Sequence, residues 1–268
     1  MLRPGDVLAG YIVDRVLGQG GSSAVYLAHV ESDPHNAFAL KVLHEDHAGA
    51  EALERLQHEF SVADGLRHEH IVRVCGHGPS WLAMEYVDGG NSIALESLAD
   101  RLVALAQVAD ALDYAHGQGI SHCDVKPTNI LVFKDFVRRG AVLIDFGIAS
   151  GIDGRSAVAS CQPAYFQGSL PFVAPELLIG RAPSAQTDEY ELACTAVSLI
   201  TGAPPFPATT AVQLMDAHLR RPPPRISRRM SWIPGAFDSI LSKAMAKRPE
   251  DRYQTCSEFV HLITRVLS

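Results

Sequence analysis

Lysine is scarce in this chain of 268 residues: Lys41, Lys126, Lys134, Lys243 and Lys247 stand against 18 arginines. Genome composition alone can produce such a bias. It still draws attention to the positions that remain lysine, because a compact ammonium and a planar guanidinium do different chemistry. Cysteine is sparse too. Cys75, Cys123, Cys161, Cys194 and Cys256 are odd in number and form no C-x-x-C. That excludes a zinc ribbon or thioredoxin motif, argues against a disulfide framework, and predicts reduced thiols in a cytoplasmic setting. Basic charge is not in excess: 23 Lys+Arg against 30 Asp+Glu give a net charge of −7, which speaks against a nucleic-acid-binding surface. No apolar run reaches membrane-spanning length. The longest, Ser92 to Ala115, is cut by Glu96, Asp100, Arg101, Asp110 and Asp113. Met1–Asp6 lacks an apolar signal-peptide core, so no secretory signal is expected. G-x-x-x-x-G-K-[ST] does not occur, which removes P-loop NTPases.

What is present is enough apolar material for a sizeable core, 47% of residues with only 20% charged. Tyr11–Leu17, Ala24–Val30 and Ala37–Leu43 read as strands, with the turn-forming run Gly18–Ser23 between the first two. Glu51–Leu66 switches to helical spacing through Leu53, Leu56, Phe60, Ala63 and Leu66. Ile71–Val74 and Trp81–Val87 read as two more strands. The order β-β-β-α-β-β predicts a small antiparallel sheet with one helix. A break at Asp88-Gly89-Gly90-Asn91 marks a lobe boundary. Beyond it helices dominate: Leu95–His116, Asp188–Thr201, Thr210–Leu219, Phe237–Ala246 and Ser257–Leu267, with short strands at Ile130–Phe133 and Ala141–Ile144. Ser150–Gly168 reads as a long loop.

Chemistry concentrates at a few places. Gly18-x-Gly20-Gly21-x-Ser23-x-Val25 joins strand to strand, and its glycines let backbone N–H groups approach a polyphosphate. Lys41 lies inside an apolar strand, between Leu40 and Val42, where a charge is costly unless paired. Glu59, on the sheet-facing stripe of the only nearby helix, is the expected partner. His122-Cys123-Asp124-Val125-Lys126-Pro127-Thr128-Asn129 precedes one short strand, and Asp145-Phe146-Gly147 follows the next. One carboxylate there can accept a hydroxyl proton. The other, with the amide oxygen, offers hard ligands for Mg²⁺.

With D-x-K-x-x-N and D-F-G at this spacing, the chain resembles the protein kinase family, and within it the bacterial eukaryotic-like (Hanks-type) serine/threonine kinases, from about Tyr11 to Arg265. The resemblance implies an α+β bilobal kinase fold over residues 1–268: a small antiparallel β-sheet lobe with one helix (7–87), a hinge (85–91) and a larger, mostly helical lobe (92–268). It implies that Leu17 binds ATP, that Gly18, Gly20 and Gly21 cover its phosphates, that Lys41 holds the α/β-phosphates, and that Glu59 supports it. Met84 takes the gatekeeper position. Glu85 to Val87 receive adenine, and Val25, Ala39 and Leu131 sandwich the ring. Asp124 is the catalytic base, Lys126 the γ-phosphate lysine, and Asn129 and Asp145 the ligands of Mg²⁺, for which Mn²⁺ can substitute. Gly168–Glu176 resembles the substrate-docking loop, including Ser169. Glu176 pairs with Arg252, and Asp188 braces the catalytic loop. The implied activity is γ-phosphoryl transfer to Ser/Thr hydroxyls of protein substrates, autophosphorylation included. Lys126 supports Ser/Thr over tyrosine. A pseudokinase scaffold and a small-molecule phosphotransferase are the alternatives, and a weak homodimer is left open.

The chain departs from the family at Cys123, where an arginine usually precedes the catalytic Asp and receives an activation-loop phosphate. That departure puts phosphorylation-gated activation in doubt. Ser169 stands where Thr is usual and Phe172 where Tyr is usual. The loop offers Ser150, Ser156, Ser160 and Tyr165 but no Thr. Arg220, Arg221, Arg225, Arg228 and Arg229, with Pro222-Pro223-Pro224 expected to hold the stretch extended, suggest a docking patch for acidic partners.

Overall fold

Alternation of apolar and polar residues builds the first part of the chain. Val7–Leu8 (β1), Tyr11–Gln19 (β2), Ser23–Val30 (β3), Asp33–Leu43 (β4), Val74–Gly78 (β5) and Trp81–Glu85 (β6) form a six-stranded antiparallel sheet in the order β1-β2-β3-β4-β6-β5. Its one described helix is Ala50–Gly65 (α1). The computed structural model describes residues 1–44, 49–146, 150–151 and 169–268 and forms two compact units, Met1–Asp88 and Gly89–Ser268. The sequence expectations at Gly147, Ser156, Ser160, Tyr165 and Gly168 lie outside the described residues.

The pleat sorts side chains to two faces. Val13, Ala24, Tyr26, Ala28, Leu40 and Ala83 pack together on one. Leu43 and Leu82 pack against Leu56 of α1 on the other. Lys41 is one residue from Leu40 and directly opposite Leu82 in the β4–β6 register, so it belongs to the helix-facing side. Burial of each large aliphatic side chain here contributes about 1.5–3 kcal/mol.

One strand differs from the sequence reading. Ile71 and Val72 are buried, but they precede the strand, which runs Val74–Gly78. The reason is steric. A Cβ at Gly78 would lie 2.1 Å from the Trp81 ring nitrogen, and one at Gly76 would lie 3.0 Å from the Tyr11 hydroxyl oxygen. The strand is glycine-containing because the aromatic side chains occupy that space, and the apolar-run criterion passes it over.

The second unit is built on two buried helices. Leu98–Gly117 (α2) starts at Ser97, whose hydroxyl accepts the Asp100 N–H. It buries Leu102, Leu105, Val108, Leu112 and Ala115. Two short antiparallel ribbons follow. Ile120–Ser121 (β7) pairs with Ser150–Gly151 (β10), a short strand at the start of the segment expected to be loop. Ile130–Val132 (β8) pairs with Ala141–Leu143 (β9) across a turn carrying the helical turn Phe136–Arg139 (α3). Pro175–Leu178 (α4) leads into Ala185–Thr201 (α5), which is buried from Thr187 to Val197. A capping box between Ser184 and Thr187 begins α5, and Gly202 in the left-handed region (φ 80°) ends it. Ala211–Arg220 (α6), Gly235–Ala244 (α7) and Cys256–Leu267 (α8) complete the unit. The arginine-rich segment is not simply extended: Ile226 is buried and starts a 3₁₀ turn through Arg228, because an apolar anchor outweighs the polyproline preference of its neighbours. Among the described residues no helix is long and apolar enough to cross a membrane.

Candidate active site

In the first unit the glycine run forms the β2–β3 turn. Gly18 pairs with Val25 in the ladder, and Gly20 N–H donates to the Ser23 carbonyl at 2.8 Å. Gly18, Gly20 and Gly21 are exposed, and Leu17 is half-buried. Lys41 Nζ donates to both oxygens of Glu59, at 2.9 and 2.7 Å. The pair forms because β4 turns Lys41 toward α1 while Glu59 follows Leu56 by one helical turn on the same stripe. Its side chains are 18% and 6% exposed, so the pair is mostly withdrawn from water. Val25 and Ala39 are half-buried neighbours in the sheet; Met84 and Glu85 end β6 opposite Ala39 and Phe38, and Val87 is buried just after it.

In the second unit the loop between β7 and β8 carries the other cluster. Asp124 Oδ2 accepts from Lys126 Nζ at 2.7 Å and from Asn129 Nδ2 at 3.0 Å. Lys126 Nζ also donates to Ser169 Oγ at 2.8 Å, so one ammonium joins the buried carboxylate to the hydroxyl of Ser169. Asn129 Nδ2 donates in addition to the Asp124 carbonyl at 3.0 Å. The amide nitrogen is thereby used, and the amide oxygen is left as its remaining ligand atom. Ile144 N–H donates to the Asn129 carbonyl at 2.9 Å, which ties the end of β9 to the residue before β8 and places Asp145 close to Asn129 in the fold. Asp145 has φ 69°, a left-handed conformation that Asp tolerates better than most residues. Leu131 is half-buried in β8.

The backbone of this loop is held by side chains. Asp188 on α5 is fully buried and accepts the N–H groups of His122 (2.8 Å) and Cys123 (2.7 Å), and it bonds His116 Nε2 at 2.7 Å. Cys123 itself has φ 65° and donates its thiol to the Ser121 carbonyl at 3.6 Å. His122 Nδ1 accepts the Asp124 N–H at 3.2 Å, while Nε2 reaches the Ile144 carbonyl at 3.0 Å. The His122 ring also meets Phe146 edge-on, with centroids 4.7 Å apart. Farther along, Glu176 and Arg252 form a bidentate pair at 2.7 and 2.8 Å. Thr187 donates to the same carboxylate.

The first unit thus carries a strand lysine on a helix glutamate, and the second carries D-x-K-x-x-N tied to a following Asp. The family model "Protein kinase domain" matches residues 11–263. The chain belongs to the protein kinase family. It is 37% identical to the serine/threonine-protein kinase PknJ of Mycobacterium tuberculosis over 99% of this chain and 47% of that protein. It is 37% identical to PknF of the same organism over 98% of this chain and 57% of that protein. The chain thus spans about half the length of the curated relatives it matches. A crystal structure of the M. tuberculosis PknI kinase domain superposes with a TM-score of 0.75 at 34% identity, covering 99% of this chain and 98% of that one. The fold is the bilobal kinase fold, and the family uses ATP and a divalent cation.

Two side chains that sequence reasoning did not single out also reach the catalytic loop of this kinase domain. Glu191 Oε2 accepts the Val125 N–H at 2.8 Å, and Thr195 Oγ1 donates to the Val125 carbonyl at 2.9 Å. The available signal was their spacing from Asp188 along one helix face.

Proposed function

We propose that this chain transfers the γ-phosphoryl group of ATP to serine and threonine hydroxyls of protein substrates, itself included. The observation that carries the reading is the Asp124–Lys126–Asn129 cluster, in which both side-chain bonds fall on a single carboxylate oxygen. Asp124 Oδ1 has no hydrogen-bond partner among the described residues and is left to take the proton of an acceptor hydroxyl. Lys126, a compact point charge, serves the γ-phosphate, and Lys41, oriented by Glu59, serves the α/β-phosphates. Backbone N–H groups around Gly18, Gly20 and Gly21 cover the phosphates. Glu85 to Val87 take the adenine edge, with Met84 behind them and Val25 and Ala39 on a face of the ring.

Asn129 and Asp145 would hold Mg²⁺, or Mn²⁺ in its place. Their donor set fits a hard cation, since one offers a carboxylate and the other an amide whose nitrogen is already used by Asp124. Such a cation, when bound, neutralises charge developing on the phosphoryl oxygens. Phosphoryl transfer asks for positioning and electrostatics more than for covalent participation, which accords with a site of fixed charges.

Ser/Thr specificity is supported by Lys126 within D-x-K-x-x-N and by the names of the relatives. Protein rather than small-molecule substrates are supported by the Glu176–Arg252 pair at the end of the docking segment that holds Ser169. Cys123 carries no positive charge for a loop phosphate to neutralise, so the loop does not need a phosphate at this point. Cysteine usage supports a cytoplasmic setting for the domain. The test is incubation with labelled ATP and Mg²⁺ or Mn²⁺, with and without a generic protein substrate, followed by phosphosite mapping. Label on protein Ser and Thr is expected. No transfer, or transfer to small molecules alone, would overturn the reading.

A further inference from the structure

The buried helix α5 presents Asp188, Glu191 and Thr195 at spacings of three and four residues, hence on one face. That face lies against the loop of His122–Lys126. Asp188 takes the N–H groups of His122 and Cys123. Glu191 and Thr195 take the two main-chain groups of Val125, the N–H at 2.8 Å and the carbonyl at 2.9 Å. Val125 is 0% exposed and Glu191 2% exposed, so neither main-chain group has water as an alternative partner. An unmet buried N–H or C=O costs about 1–3 kcal/mol.

The covalent geometry gives these bonds their meaning. The Val125 N–H belongs to the peptide plane shared with Asp124, and the Val125 carbonyl to the plane shared with Lys126. Fixing both planes fixes the directions in which the Asp124 and Lys126 side chains leave the backbone. The loop needs such restraint, because Cys123 is held at φ 65°, where a residue with a Cβ is strained.

We propose that Glu191 and Thr195 are positioning residues for phosphoryl transfer, clamping the Val125 peptides so that Asp124 and Lys126 keep their mutual geometry. The inference rests on the kinase reading above and assigns to these two side chains a part in it.

The protonation of Glu191 agrees with the clamp. Burial first, then the carboxylates of Asp188, Asp124 and Glu176, push its carboxyl well above the usual carboxylate range, while the Val125 N–H pulls the other way. Of the groups around it, Asp188 is bonded to His116 from α2, Asp124 is paired with Lys126 in the loop, and Glu176 with Arg252. That direction favours the neutral carboxyl, and a neutral oxygen still accepts the Val125 N–H. Ionisation would add a negative charge beneath Asp124. Gln, neutral and of the same shape, should replace Glu191; Ala should not.

The experiment measures kcat, KM for ATP and hydrogen exchange of segment 121–127 in Glu191→Ala, Glu191→Gln, Thr195→Val and Thr195→Ser, all in the full 268-residue chain. Glu191→Ala and Thr195→Val should lower kcat about 10- to 100-fold with KM for ATP changed less than about 3-fold, as a positioning loss does. Both should speed exchange in the segment. Glu191→Gln and Thr195→Ser should stay within about 3-fold of wild type. If Glu191→Ala fails to fold, Thr195→Val carries the test. Wild-type kcat per folded molecule in the Ala and Val variants, or a Gln variant as poor as Ala, overturns the positioning role. Unchanged exchange overturns the clamp itself and requires no turnover. Absence of transfer by the wild type overturns the kinase reading, and the catalytic role with it, whatever the exchange shows.

Discussion

A lysine in the middle of strand β4 is tolerated because Glu59 accepts it with both oxygens, and this residue-level arrangement has a direct consequence for activity. Lys41→Met should remove most phosphoryl transfer, about 10²–10³-fold in kcat/KM for ATP, while leaving the sheet intact. Glu59→Gln should cost less, because the lysine still reaches phosphate. Steady-state kinetics with a thermal unfolding curve for each variant checks both. A second residue-level prediction concerns Glu189, whose carboxyl burial pushes up to about 8. One of its oxygens accepts the Tyr253 N–H, and the other has no partner among the described residues. Below about pH 4.5 the folded and unfolded states both hold this proton. Between 4.5 and 8 the unfolded state releases it and the folded state does not. Stability should fall as pH rises through that window, by at most about 1.4 kcal/mol per pH unit from this group. Glu189→Gln should remove that part of the slope and gain on wild type toward pH 8, measured by denaturant titration at several pH values. Equal slopes for the two proteins would mean that Glu189 is ionised in the folded state. At this scale legibility followed from conflict. Lys41 was readable because a charge in an apolar strand demands a partner. Glu191 was not, because its three-residue spacing from Asp188 was the one signal, and spacing alone does not separate an acid turned into a helix interface from one turned to water.

Elements were legible to the degree that their pattern was their own. Helix α1 declares itself by the spacing of Leu53, Leu56, Phe60 and Ala63, and α5 by a nearly all-apolar run. Strand β5 does not, since its glycines answer to Trp81 and Tyr11, which lie elsewhere in the sequence. The β7–β10 ribbon is equally hidden, because two residues give no periodicity. The Glu176–Arg252 pair tests the element scale best, for it joins α4 to the segment before α8 and also takes up Thr187, Gln186 and Ala246. Both side chains are nearly fully buried. Arg252→Ala leaves Glu176 as an uncompensated buried charge and should destabilise the domain by about 3–5 kcal/mol. Replacing both by apolar residues of similar volume should recover much of that loss, because the desolvation of the pair disappears with it. Denaturant unfolding of the single and double variants decides. A double variant no better than Arg252→Ala would show that the remaining bonds of Arg252, and not the stranded carboxylate, carry the effect.

At the scale of the molecule, the division near Asp88–Gly89 and the change from sheet to helices were legible because composition and period change together there. The identity of the phosphate acceptor was not, since a docking segment specifies a hydroxyl and a path to it without naming a protein. The roles proposed for Asp124 and Asp145 are proton acceptance and metal binding in transfer to protein hydroxyls. The most direct measurement is the initial rate of labelled phosphate transfer from ATP to a protein substrate by wild type, Asp124→Asn and Asp145→Ala, in Mg²⁺ and in Mn²⁺. Ser/Thr labelling by wild type is expected, with a fall of about 10²–10⁴ in kcat for each variant and metal-dependent nucleotide binding weakened in Asp145→Ala alone. Wild-type turnover in both variants would contradict these roles.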